Sequence, residues 1–262
     1  MLIDLSGKKA LVGGASDGIG KGIAMELASA GAEVYLMSRN EEKLIAALQE
    51  LDTSKGQKHG YLTTDFTDFS LHHQKLSEFF KQHQIDILVN NTNGPQAGNV
   101  LSKGIADYQM AFDLLFKNAV MATELCLEHM KSQGFGRIIN VSSLTVKEPQ
   151  DNLALSNSMR IALVSWSKSL SVAVAPYGIT VNTVLTGYFD TARLRSLMEM
   201  QSKSEGVSIS DIEERRKASI PVKRLGLPAE YGFLVTFLAS DYAAYLNGAS
   251  IPLDGGLSKV VF

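Results

Sequence analysis

Ser156 and Arg160 stand four residues apart in Ala154-Leu155-Ser156-Asn157-Ser158-Met159-Arg160, where helical periodicity begins. At that spacing a hydroxyl and a guanidinium share one helix face. The hydroxyl could take part in proton exchange. The guanidinium gives up no proton but can hold hydroxyls and keep a positive charge in place. The competing reading is structural: Leu155, Met159, Ala162, Leu163, Trp166, Leu170, Ala173 and Val174 form an apolar stripe, and Ser156 could be an ordinary hydroxyl at the helix start. A second constellation is Gly13-Gly14-Ala15-Ser16-Asp17-Gly18-Ile19-Gly20, which follows a short apolar run and leads into a helical pattern. Such a turn brings Gly14, Ser16, Asp17, Gly18, Ile19 and Gly20 around a pyrophosphate at a helix N-terminus. A triphosphate-binding loop needs a glycine six positions before a Lys that Ser or Thr follows. Six before Lys21 stands Ala15, and Gly22 follows, so that reading fails. At the end of the second apolar run, where an acid usually grips a ribose 2'-hydroxyl, the chain has Ser38-Arg39. Arg39 either pairs with a 2'-phosphate, favouring NADP(H) over NAD(H), or is a solvated residue ahead of the next helix.

These residues need a scaffold of alternating strands and helices. The apolar runs 9–12, 34–37, 85–89, 137–141, 180–184 and 249–253 alternate with helical segments such as 41–51 and 105–132. The pattern predicts an α/β fold: a single Rossmann-type domain over 1–262, with a doubly wound parallel sheet covered on both faces. The polar segment 188–218 interrupts it, as a flap over a site or as a solvated helical insertion.

Further motifs give the chain a family. Gly14, Gly18 and Gly20 match a Gly-xxx-Gly-x-Gly turn, and Asp65, between the runs 34–37 and 85–89, matches an aspartate that follows a third strand. Asn90-Asn91-Thr92-Asn93-Gly94 resembles an Asn-Asn-Ala-Gly segment, and Gly187 follows Thr186 where Pro-Gly is usual. Arg224-Leu225-Gly226-Leu227-Pro228 through Asp254-Gly255-Gly256 completes the set. Together they resemble the short-chain dehydrogenase/reductase family over nearly the whole chain, β-ketoacyl carrier-protein reductases in particular. The resemblance implies that Asp65 contacts adenine, that Asn91 and Gly187 lie at the cofactor, that Thr191 meets the carboxamide and that Ser143 is the active-site serine. It also implies a tyrosine thirteen positions after Ser143 and a lysine four further on, where this chain has Ser156 and Arg160. The family's helix asparagine falls on Leu115, and Asn118, one turn later, replaces it only if the helix register shifts.

A phenol begins near pKa 10. A serine hydroxyl is a far weaker acid and shorter by a ring, so Ser156 marks the tyrosine position without its acidity. Arg160 is expected to contact the cofactor. Tyr188, directly after Gly187, is the candidate replacement acid, or it only walls the pocket; Lys147 is a second candidate. Two functions follow: an NADP(H)-dependent oxidoreductase acting on a carbonyl or alcohol of a small or acyl substrate through a noncanonical site, or a dinucleotide-binding protein without turnover that serves as sensor or partner subunit.

Composition narrows the partners. The 25 basic and 27 acidic residues give a net charge of -2 without a basic patch, which argues against nucleic acid. No run of about 18 apolar residues argues for a membrane span. The single cysteine, Cys126, fits a reducing, cytoplasmic setting. The five histidines show no metal spacing, so no metal is expected. The resemblance implies a homotetramer or homodimer, paired through 105–132, 155–175 and the C-terminal segment.

Overall fold

The computed structural model describes residues 2–261. Seven parallel strands form one sheet: β1 (Lys9–Gly13), β2 (Glu33–Ser38), β3 (Gly60–Thr63), β4 (Ile87–Asn90), β5 (Gly136–Val141), β6 (Ile179–Thr186) and β7 (Ser250–Leu253). Their order across the sheet is β3-β2-β1-β4-β5-β6-β7. The chain therefore winds outward from β1 in one direction and from β4 in the other, which opens a crevice at the carboxyl ends of those two neighbours.

Strand side chains alternate between two cores, as period two requires. Ala10, Val12, Ile87, Val89, Ile139 and Val184 pack with helices α1 (Gly18–Ser29), α2 (Glu41–Gln49) and α9 (Pro228–Ala239). Leu11, Leu88, Ile138 and Val181 pack on the opposite face with α3 (Phe69–Gln82), α5 (Asn118–Gln133) and α6 (Ala154–Val174). Both faces are covered, which is why the strands read as unbroken apolar runs. Asp17, Asn40 and Asp68 accept from backbone N–H groups at the starts of α1, α2 and α3 and fix where each helix begins.

Two features depart from simple periodicity. The helical segment 105–132 resolves into α4 (Ile105–Phe112), one π turn over Asp113–Lys117, and α5. The polar segment after β6 folds into α7 (Ala192–Glu205) and α8 (Ile209–Ser219), which enclose a small core of Leu194, Met198, Ile212, Ile220 and Leu225. Among the described residues, no helix is long and apolar enough to cross a membrane.

Candidate functional site

The glycine turn fills the crevice between β1 and β4. Gly14 and Gly18 adopt φ of +58° and +53°, in the left-handed region that side chains disfavour. A Cβ at Gly13 would strike the Asn91 carbonyl, and one at Gly20 the Gly14 carbonyl, so neither position accepts a side chain. Asn91 donates Nδ2 to the Gly13 carbonyl at 2.9 Å and so braces the turn from β4. Asp17 accepts from the Gly18 N–H at 2.7 Å. Among the described residues the N–H groups of Ile19 and Gly20 have no acceptor. Two open amides at a helix start, behind a backbone stripped of Cβ atoms, fit a diphosphate.

The end of β2 carries no carboxylate. Ser38 Oγ lies 2.9 Å from Ser16 Oγ, joining strand end to glycine turn, and Arg39 is exposed without a hydrogen bond or ion pair among the described residues. After β3, Asp65 accepts from the Thr67 N–H at 2.9 Å and from its hydroxyl at 2.8 Å. Those bonds hold its carboxyl below the ordinary range, and the Arg39 charge adds to them. Arg39 and Asp65 thus flank one end of the crevice.

At its other end, beyond β5, Ser143 Oγ accepts from the Thr145 N–H at 3.2 Å and caps a short 3-10 turn. Arg160 donates Nε to Ser156 Oγ at 3.2 Å and Nη1 to the Val141 carbonyl at 2.8 Å. The pair on the face of α6 is thus a real contact, and it holds the guanidinium against β5. Burial pulls Arg160 down to about 10; the nearby Tyr231 phenol opposes that shift and the charge of Arg193 reinforces it. At neutral pH the guanidinium stays charged.

Asn118 reaches this centre because the π turn shifts the helix register. Its Nδ2 donates to the Phe66 carbonyl at 2.8 Å, while its buried Oδ1 has no partner among the described residues. Asn118, Asn90 and Arg160 line a cleft of about 30 Å³, room for one water. Asn90 is fixed by donating to Asn140 Oδ1 at 2.8 Å, and Asn140 donates to Ser167 Oγ at 2.8 Å, a buried polar ladder from β4 through β5 to α6.

The turn after β6 closes the site. Gly187 packs where a Cβ would come within 2.7 Å of the Asp254 Cα. Thr191 caps α7, accepting from the Leu194 N–H at 3.2 Å, and abuts Gly18. Tyr188 lies directly after this turn. Its ring packs on the small core of α7 and α8, with the Arg216 guanidinium 4.8 Å from the ring centre, and its hydroxyl makes no hydrogen bond among the described residues. The apolar cluster of the flap captures the ring that adjacency to Gly187 had suggested for catalysis.

Two residues at the site escaped sequence reasoning. Tyr231, fully buried on α9, lies 3.1 Å through its hydroxyl from Thr186 Oγ1. Arg193, in the first turn of α7, donates to the Pro95 carbonyl at 3.2 Å. Neither sits in a motif; only the polar departure of 188–218 pointed near Arg193.

A doubly wound sheet with a glycine turn at its switch point defines a dinucleotide-binding α/β protein. The chain belongs to the short-chain dehydrogenase family: the model described as "short chain dehydrogenase" matches residues 8–202. It is 31% identical to the NADPH-dependent reductase BacG of Bacillus subtilis, over 98% of this chain and 100% of that protein. It is 30% identical to the 3-oxoacyl-[acyl-carrier-protein] reductase FabG of Aquifex aeolicus, over 98% of this chain and 100% of that one. Among solved structures, YwfH, an NADPH-dependent reductase involved in bacilysin biosynthesis, superposes with a TM-score of 0.91 at 31% identity, covering 98% and 100% of the two chains.

Proposed function

We propose that this chain is an NADP(H)-dependent oxidoreductase that interconverts a carbonyl and an alcohol on a small or acyl substrate, in the manner of 3-oxoacyl reductases. The observation that carries the reading is the glycine turn with its open Ile19 and Gly20 amides, together with Ser16, Ser38 and Arg39 at a strand end free of carboxylate. The names of BacG and FabG as reductases support it. Gly14, Ser16, Asp17, Gly18, Ile19 and Gly20 cradle the diphosphate, Arg39 takes the 2'-phosphate, and Asp65 meets the adenine. Asn91, Gly187 and Thr191 hold the nicotinamide end. When bound, the dinucleotide supplies or accepts the hydride.

The catalytic centre departs from the family pattern. Ser156 and Arg160 occupy the positions of the tyrosine and lysine, so no phenol stands ready as acid. As a hydride reaches the carbonyl carbon, negative charge gathers on its oxygen; the Ser143 hydroxyl and the fixed charge of Arg160 stabilise it. Ser156, shorter than a tyrosine, orients Arg160 and water, and the oxygen takes its proton from that water, the hydroxide left behind taking a proton from bulk solvent. The helix pair α7 and α8 covers the substrate. Copies pair as a homodimer or homotetramer through faces that carry the exposed Ile105, Ile161 and Val172.

Transfer of deuterium from 4-deuterated NADPH into the product alcohol tests the reaction. Label in the carbinol carbon is expected. NADPH binding without transfer to any of a panel of carbonyls would identify a dinucleotide-binding protein without turnover. Failure to bind NADPH at all would remove the oxidoreductase reading.

A further inference from the structure

Two guanidinium groups face the site without a counter-charge. Arg160 uses Nε and Nη1 on Ser156 and Val141, which leaves Nη2 without an acceptor among the described residues. Arg193 uses Nη2 on the Pro95 carbonyl, which leaves Nε and Nη1 open in the same sense. Neither is ion-paired among the described residues, whereas nearby Arg195 pairs with Asp190 at 2.9 Å and Arg224 with Glu230 at 2.6 Å. Arg160 lines the cleft beside Asn90, Asn91 and Thr92, and Arg193 is bonded to the Pro95 carbonyl three residues on, so one segment after β4 lies against both groups; the Arg193 charge and the Tyr231 phenol both bear on Arg160. Burial keeps that phenol protonated, so it contributes no negative charge at neutral pH.

Like charges with unmet donors in a partly desolvated crevice are unfavourable, and an anion between them relieves both conditions. Arg193 is positioned to receive one, because its guanidinium lies over the Gly94-Pro95 turn, with a Cβ position at Gly94 only 3.7 Å from Nη2. It remains open to solvent, so a ligand can reach it. A diphosphate has its own donors in the glycine turn, which leaves this pair of cations for a second anion. We propose that Arg160 and Arg193 clamp a carboxylate on the substrate, so that the protein acts on oxo acids in preference to neutral ketones. The inference rests on the reductase reading above, and its test separates the two.

Calorimetric titrations of the protein, with and without saturating NADP+, compare levulinate and pyruvate with their methyl esters. At least about tenfold tighter binding of one acid over its ester is expected, the scale of a charge-assisted contact. Arg193→Met should remove that preference and Arg193→Lys should restore part of it. NADPH affinity, measured by fluorescence, should stay within about twofold for both variants, well below the tenfold that one lost charged contact represents. Equal binding of acids and esters by the wild-type protein, or no binding of either, overturns the clamp whether or not a variant folds. A parallel loss of NADPH affinity in Arg193→Met assigns the cations to the cofactor diphosphate and also overturns it. If the wild-type protein discriminates acids from esters but binds no NADPH, the clamp stands and the oxidoreductase reading falls.

Discussion

Replacing Arg39 by serine isolates the contact that would distinguish NADPH from NADH. Arg39 is exposed and makes no hydrogen bond or ion pair among the described residues, so its loss should leave the thermal midpoint unchanged. A hydrogen bond between charged groups contributes about 1.5–3 kcal/mol. Exposure and salt screening place Arg39 at the lower end, about 1.5 kcal/mol at physiological ionic strength. That predicts roughly tenfold weaker NADPH binding, since about 1.4 kcal/mol is one decade. NADH lacks the phosphate, so its affinity should not fall. Fluorescence titrations of both cofactors against both proteins, at low and at moderate salt, read the effect directly. The NADPH penalty should shrink as salt rises, because screening weakens the contact the variant removes. Equal weakening for NADH and NADPH, or none for either, would refute the assignment of the β2 end to a 2'-phosphate.

Gly20→Ala drives a Cβ into the Gly14 carbonyl, so it should lower the thermal midpoint and abolish NADPH binding, with a stability loss of roughly 1–3 kcal/mol or more from overpacking. Tyr188→Phe should leave turnover unchanged in steady-state assays, because the ring serves the flap core and its hydroxyl has no partner among the described residues. His72, 1% exposed and 3.0 Å through Nδ1 from Thr64 Oγ1, is pulled from 6.5 to about 4, by burial first and by the neighbouring His73 second. Between those values the unfolded chain binds a proton that the native protein refuses, so stability is full above about pH 7 and falls as pH drops toward 4. The difference amounts to about 3 kcal/mol at 1.36 kcal/mol per unit. Urea unfolding of wild type and His72→Asn at pH 7.5 and pH 4.5 checks it: the variant should lose less stability than the wild type on acidification, and parallel losses would show that His72 does not carry the slope.

Legibility followed how local each signal was. The strands and the glycine turn could be read because alternation and missing Cβ atoms are properties of the chain itself, and Ser38-Arg39 could be read because strand ends have a fixed place in this topology. The long helix 105–132 hid its π turn: Leu114, Leu115 and Phe116 keep an apolar pattern through it, so the register shift on which the reading of Asn118 depended was not announced locally. Tyr188 shows the converse. It adjoins Gly187 in sequence, but the direction of its side chain was decided by Leu194, Met198 and Ile212, residues of helices whose packing the polar surface of 188–218 concealed. Arg193 and Tyr231 belong to no motif, and their bearing on Arg160 arises only when α7 and α9 are folded beside β6.

The relation between Ser156 and Arg160 gives the proposed centre a physical logic. A guanidinium has directional donors, and a planar group is useful at a reacting centre only if it is held. Ser156 Oγ at 3.2 Å and the Val141 carbonyl at 2.8 Å hold it along two edges, one from its own helix and one from the adjoining strand. A bulkier residue at 156 would occupy the space through which Nε reaches its acceptor, so the short side chain and the arginine form one arrangement. What this arrangement lacks is an acid of suitable strength; what it provides is a charge fixed before the substrate arrives. Catalysis here would therefore depend on preorganised stabilisation of a developing alkoxide more than on proton donation. In the proposed clamp the same fixed charge, together with Arg193, would discriminate among substrates by their anionic groups before any hydride moves.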